Sequence, residues 1–186
     1  MNRSSRRMLV ILVIIFAALL AVAFITTTRQ PERTIDSAVQ DAIDSFDRTF
    51  PTLSIQDIRA IRLSDPNSDV AFIMTQDGSG TWVTDEGTPL NENGALIART
   101  MELLPYLRIL PVTPEADLTE YGFAPNGLIR AEIVMNDDSV HGVAIGRLTD
   151  SGDAYYALVD NQPSIYVLLR NPVDYLITQL RNPPTA

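Results

Sequence analysis

Hydrophobic positions change their spacing several times along the chain, and each spacing predicts an element. From Met8 to Ile25 (MLVILVIIFAALLAVAFI) the residues run without a charge. As a helix this run is about 27 Å long, close to the roughly 30 Å of a hydrocarbon layer. Beyond a polar connector holding Pro31, the residues Ile35, Val39, Ala42, Ile43, Phe46 and Phe50 recur at three- and four-residue spacing, with Asp36, Asp41, Asp44 and Asp47 between them. This pattern predicts an amphipathic helix over 34–49, ending before Pro51. The period then drops to two. IRAIRL (58–63), VAFIMTQ (70–76) and TWVT (81–84) read as strands separated by SDPNSD and DGSG. Those separators turn because Gly accepts positive φ and Asp or Asn bonds its own backbone.

A helix over about 94–104 follows, capped by Asn91 or Asn93, with Leu96, Ile97, Met101, Leu104 and Leu107 on one face. LIRAEIVMN (128–136), SVHGVAIG (139–146), AYYALVD (154–160) and SIYVLL (164–169) return to strand spacing. Pro172 then opens a last helix lined by Val173, Leu176, Ile177 and Leu180. The predicted class is α+β: an N-terminal transmembrane helix, then two antiparallel β-meander-plus-helix halves related as a pseudo-repeat. Both halves carry aromatics in their third strand, Trp82 in one and Tyr155 with Tyr156 in the other. The organisation expected is a cytoplasmic tip and anchor over 1–29, a juxtamembrane helical segment over 30–54, a domain over 55–180 and a tail over 181–186. Within the domain, halves 55–111 and 126–180 are joined by 112–125.

Charge orients the apolar run. Arg3, Arg6 and Arg7 precede it, whereas Arg29 and Arg33 after it are mixed with Glu32, Asp36 and Asp41. The positive-inside bias therefore puts the N-terminus in the cytoplasm and everything past Thr26 outside. Two other readings share that destination. Ala21-Val22-Ala23 is the kind of small-residue site at which a signal peptide is cut, and SRRMLV has a twin-arginine pattern. The run continues unbroken through Phe24 and Ile25, so we read it as a retained anchor.

Composition then excludes several chemistries. From residue 30 onward 10 Arg stand against 23 Asp and Glu, a balance of −13, which repels nucleic-acid phosphates. The chain has neither Lys nor Cys. Schiff-base lysines, P-loop lysines, disulfides, thiolate nucleophiles and Cys-zinc sites are therefore impossible on it. His141 is the only histidine and sits in a predicted strand, where a structural role is expected. Asp65, Asn67 and Asp69, and Asp150 with Asp153, have spacings found in calcium loops, but Pro66 intrudes and the distal Glu of an EF-hand is missing, so turn chemistry is expected there. Pairs of acids could in principle serve a glycosidase, yet nothing singles one pair out. We expect no catalytic, cofactor-binding or metal-binding residue, and no cofactor.

The most distinctive wording is Asp117-Leu118-Thr119-Glu120-Tyr121-Gly122-Phe123-Ala124-Pro125. Asp117 and Glu120 can form a reciprocal cap on one helical turn, Gly122 can end it left-handed, and Phe123 and Pro125 redirect the chain. Leu118, Tyr121 and Phe123 are then expected as buried plugs, each contributing roughly 1.5–3 kcal/mol, that fix the angle between the halves. The same phrase, with Val143-Ala144-Ile145-Gly146-Arg147, Tyr155-Tyr156-Ala157, the Trp82 strand and Leu103-Leu104-x-x-Leu107, resembles the family catalogued as domain of unknown function 4340, over roughly residues 55–180. The resemblance implies a membrane-anchored domain, in some members associated with auxiliary parts of ABC-type transport systems, and it carries no catalytic residues over. The chain departs from that family's pattern in lacking Lys and in its helical segment at 34–49.

The expectation is therefore a non-enzymatic, extracytoplasmic accessory or scaffold protein, partnered with the membrane and with envelope or transporter proteins and not with nucleic acid. The alternatives are a small-molecule or saccharide binding module, marked by a pocket holding Trp82, Tyr155 or Tyr156, and an unrecognised hydrolase.

Overall fold

The computed structural model describes residues 46–112, 116–160 and 162–184. The expected anchor and most of the expected 34–49 helix lie outside them. Among the described residues no helix is long and apolar enough to cross a membrane.

Period-two alternation becomes one antiparallel sheet. Its strands are β1 (Asp47–Arg48), β2 (Ile58–Ser64), β3 (Ala71–Gln76), β4 (Trp82–Thr84), β5 (Pro105–Pro111), β6 (Ile129–Met135), β7 (Val140–Leu148), β8 (Ala154–Val159) and β9 (Ser164–Leu169). Two helices join them, α1 (Asn91–Glu102) and α2 (Arg170–Arg181). The spatial order is β1-β5-β9-β8-β7-β6-β2-β3-β4. The class is thus α+β as expected, with strands predominating, and the β2–β3–β4 and β6–β7–β8–β9 meanders are both present. The halves nevertheless share a single sheet, because the first strand of each meander pairs with the first strand of the other in the middle of it.

On one face, called the front, Ile61 and Leu63 of β2 meet Ile133 and Ala131 of β6, and all four are fully buried. Both helices bury their apolar stripes in the same core: Ile97, Ala98 and Met101 from α1, and Val173, Leu176, Ile177 and Leu180 from α2. The position of α1 bends the sheet. It follows β4 at one edge and leads within three residues to β5, next to the opposite edge. Laid flat, seven interstrand steps would separate these strands by roughly 34 Å, whereas a 12-residue helix spans about 18 Å. The sheet therefore curls toward its front, and α2 lies in the trough, touching β8 and β9 on one side and β2 and β3 on the other.

Each half seats its third-strand aromatic under its own helix. Trp82 packs on Gly94 of α1 so closely that a Cβ there would lie 2.3 Å from the Trp82 Cβ. Tyr155 is buried against α2, where its hydroxyl donates to Asp174 Oδ1 at 2.7 Å.

Several expectations are corrected. Asp47 and Arg48, placed by periodicity in the 34–49 helix, form β1 and pair with Tyr106 and Pro105. Residues 105–111, which follow the helix expected over 94–104 and of which Leu107 was placed on its apolar face, are β5, and the pairing of β5 with β9 carries the end of the first half onto the second. Leu107 is half-exposed at a bulge in that strand, and Leu96 points outward from α1 with 53% of its surface exposed. The cap of α1 is Leu90, which makes no side-chain cap; it is buried, and its N–H bonds the Trp82 carbonyl at 2.9 Å, so tertiary packing decides where the helix starts.

The joint is also reinterpreted. Asp117 Oδ1 accepts from Thr119 N at 2.9 Å, not from Glu120, and Gly122 closes the turn at φ 78° as expected. Its apolar residues are only part-buried, Leu118 being 37% exposed. Tyr121 and Phe123 bear on the other, back face of the sheet. A Cβ on Gly146 would lie 2.1 Å from the Tyr121 carbonyl oxygen and about as close as contact allows to the Phe123 ring. Tyr121 meets Tyr156 edge-on at 5.0 Å, and Arg147 Nε donates to the Glu120 carbonyl. The joint is thus strapped to β7 and β8, while the β2–β6 ladder holds the halves together.

Gly94→Ala should lower stability by about 1–3 kcal/mol in urea unfolding despite the better helix propensity of Ala, because the clash is with the fixed base of Trp82. Gly142→Ala, whose new carbon meets nothing within 4 Å, should stay within about 0.5 kcal/mol of the parent.

Candidate functional site

With the front face filled by helices and the joint lying over β7 and β8, open sheet remains on the back of β2, β3, β6 and the start of β7. Because Ile61, Leu63, Ala131 and Ile133 face the core, the alternating residues Arg62, Ser64, Arg130 and Glu132 must face the other way. Register pairs Arg62 with Glu132 and Ser64 with Arg130. One carboxylate consequently serves two guanidinium groups. Glu132 Oε1 is 3.2 Å from Arg130 Nη2, and Oε2 is 4.0 Å from Arg62 Nη1.

The next strand contributes Gly142 opposite Glu132 and Ala144 opposite Arg130, so its floor is nearly bare. Two shallow depressions flank the Arg130–Glu132 pair. One, of about 390 Å³, lies over Ser64 and Ala71 and is rimmed by the 65–70 turn; the other, of about 400 Å³, lies over Gly142 and Ala144 and is rimmed by Val140, Leu158 and Asp160. Val140 stands 58% exposed at that rim. The chemistry on offer is charged hydrogen bonding from two arginines beside small and aliphatic surface, which suits contact with another molecule.

The residues weighed from sequence do not assemble into a site. His141 faces the front, its Nδ1 2.8 Å from Asp160 Oδ2 and its ring 5.5 Å from that of Phe50. The other Asp160 oxygen accepts from Gly142 N at 2.7 Å, so this carboxylate ties the end of β8 to β7. Trp82 and Tyr155 are in the core, whereas Tyr156 is on the back face, covered by Tyr121 and with Arg147 5.6 Å from its ring centre. The three aromatics are not brought together.

The acidic loops are turns. Asp65 accepts from Asn67 N at 2.9 Å; Asp77 Oδ1 accepts from Ser79 N, Ser79 Oγ and Thr81 N; Asp153 accepts from Ser151 Oγ and Thr149 Oγ1. Hydrogen bonding to the ionised form holds these carboxyls below their ordinary range, led by Asn67 N–H at Asp65 and by the hydroxyls of Ser79 and Ser151 at the other two. Asp150 bonds Arg147 Nη1 at 2.8 Å. Among the described residues no three His, Asp or Glu side chains converge as metal ligands would.

One network shifts the protonation of two of its members. Burial, with the hydrogen bond to Asp174 as second cause, pushes the Tyr155 hydroxyl up to about 12. At Asp174 burial pushes the carboxyl up, but the Tyr155 hydroxyl and the Arg170 guanidinium outweigh it and hold the group below its ordinary value. Arg170 Nε lies 2.8 Å from Asp174 Oδ2, and its Nη1 bonds the Gly152 carbonyl at 3.0 Å. This network fastens the start of α2 to the β7–β8 loop.

Sequence reasoning did not single out Arg62, Arg130, Glu132 or Gly142. Their alternation marked them as outward-facing, but the β2–β6 neighbourhood that gathers them joins segments about seventy residues apart. Compared with protein-family models, with curated proteins and with solved structures, the chain matches none.

A carboxyl whose folded pKa is depressed stabilises the fold above its unfolded value, and that contribution is lost as pH falls through the folded value. Asp174→Asn should therefore melt lower than the parent at neutral pH, and the gap should close below about pH 4. Parallel thermal melts across that window check it; a gap independent of pH would contradict the assignment.

Proposed function

We propose that the chain is a membrane-anchored accessory or scaffold protein whose α+β domain lies outside the cytoplasm and acts through protein contacts in an envelope complex, such as an ABC-type transport system. The anchor is the Met8–Ile25 run, and its orientation follows from the arginines before it. The resemblance to domain of unknown function 4340 supports the same role.

The observation that carries the reading is the open back face around Arg62, Arg130, Glu132 and Gly142. It combines exposed arginines with small and aliphatic neighbours, a composition suited to a protein interface. Sheet edges are the other route by which strands recruit partners, and here both are blunted. The outer side of β4 is occupied by the chain itself, through the Val83–Pro89 bridge and the bond from Thr84 N to the Thr88 carbonyl. The outer side of β5 carries β1, and the strand itself is kinked by a bulge near Leu107 in its ladder with β9 and has a proline at each end. Contact through the face is left as the favoured mode.

The saccharide or small-molecule alternative would use the same depressions without the aromatic platform it was expected to have, since Trp82 and Tyr155 are buried. A hydrolase would need an activated nucleophile or a pair of facing carboxylates, and we assign neither.

A photo-crosslinking residue at Val140, on the back face, should capture a defined protein from membranes, whereas one at the comparably exposed Leu96 on α1 should not. Equal capture from both positions, or from neither, would overturn the face assignment. A periplasmic-type reporter fused after Ala186 should be active only outside the cytoplasm. Activity confined to the inside would overturn the topology.

A further inference from the structure

The chain contains the dipeptide Asn-Gly twice, at Asn93-Gly94 and at Asn126-Gly127, and the fold gives the two copies opposite surroundings. In this dipeptide the Gly nitrogen, with no side chain beside it, can reach the preceding side-chain amide. Reaction requires the Asn backbone to leave the helical conformation so that nitrogen and Cγ come together.

Asn93 and Gly94 lie in the first turn of α1. Asn93 N bonds the Leu90 carbonyl at 3.1 Å, and Gly94 is buried against Trp82, with no room even for a methyl group. That backbone cannot rearrange without lifting α1 off the core. Asn126 is exposed and belongs to no helix or strand, and Gly127 after it is at φ 69°, outside the conformations that other residues favour. The anchoring bonds begin after the reactive Gly127 nitrogen: Asn67 Nδ2 donates to the Gly127 carbonyl at 2.8 Å, and Leu128 N donates to the Ile145 carbonyl at 2.7 Å.

We propose that Asn126 is a site of spontaneous deamidation, with water as the only co-reactant, and that the fold protects Asn93. The deprotonated Gly127 nitrogen attacks Asn126 Cγ, forming a C–N bond; the side-chain nitrogen leaves as ammonia, taking up a proton, and a five-membered succinimide remains. Water then opens either carbonyl of the ring, giving Asp or isoaspartate at position 126. No oxidation or reduction occurs. The isoaspartate product lengthens the main chain by one carbon immediately before the Asn67–Gly127 bond, the link between the β2–β3 turn and the entry to β6. Ageing of the protein would thus be read at the point where the joint enters the sheet, and with one more negative charge on an already acidic body.

Incubation of the full-length chain in mildly alkaline buffer at physiological temperature, followed by trypsin and mass spectrometry, tests this. The 109–130 peptide contains a single Asn and no Gln, so the mass gain of an amide-to-acid change reports on Asn126 alone. In the native chain that gain should outpace the one at Asn93 by at least about tenfold, because reaction at Asn93 must wait for local unfolding. In urea the two sites should react at similar rates. Asn126→Gln should abolish the gain in the 109–130 peptide. The proposal is overturned if native Asn93 converts as fast as Asn126, or if native Asn126 stays intact while the urea-unfolded chain converts.

Discussion

The pairing of β2 with β6 is the contact on which the rest of the domain depends. It joins segments distant in sequence, and its front side places Ile61 against Ile133 and Leu63 against Ala131, all fully buried. A slip of β2 by one residue would turn Ile61 and Leu63 to solvent and drive Arg62 into the core, and a slip of β6 would do the same with Ile133 and Ala131, Arg130 and Glu132. Burial of an uncompensated charge costs far more than any gain such a shift could offer. The same constraint that builds the core therefore also builds the charged row on the opposite face. Core and candidate surface are two sides of one ladder.

From that ladder the sheet grows outward in both directions and has to curl, because α1 is too short to link edges that a flat sheet would keep apart. Curling gives α2 a trough to fill, and the Tyr155–Asp174–Arg170 network fixes where the helix begins in it. The joint is placed by absence of bulk. Gly146 lets Tyr121 and Phe123 approach β7, and Gly122 passes Arg147 at a distance that a Cβ would reduce to 2.6 Å from its backbone nitrogen. These close approaches leave the back of β2, β3 and β6 open among the described residues, and the proposed partner contact follows from that remainder.

Much of the fold was legible along the chain. Alternation located seven of the strands to within a residue or two, and three- and four-residue spacing located both helices, because side-chain burial imposes those periods directly. The turn roles of the acidic loops were readable too, since Asp, Ser and Gly bond their own backbone whatever the rest of the chain does. Failures came where a neighbour distant in sequence overrode the local pattern. Asp47 and Arg48 fall within a stretch of helical spacing but are drawn into a strand by β5, and β5 itself hid behind the apolar residues that follow α1.

By itself the sequence determined most of the element types, the acidic balance, the absence of Lys and Cys chemistry and the apolar N-terminal run, because each is a property of single residues or of short-range periodicity. The tertiary structure alone decided that the two meanders form one sheet, that Trp82 and Tyr155 go inward, that the joint straps β7, and which of two identical Asn-Gly pairs is sheltered. Those outcomes depend on which residues meet across long separations, and periodicity specifies the face a side chain takes without specifying the neighbour it finds there.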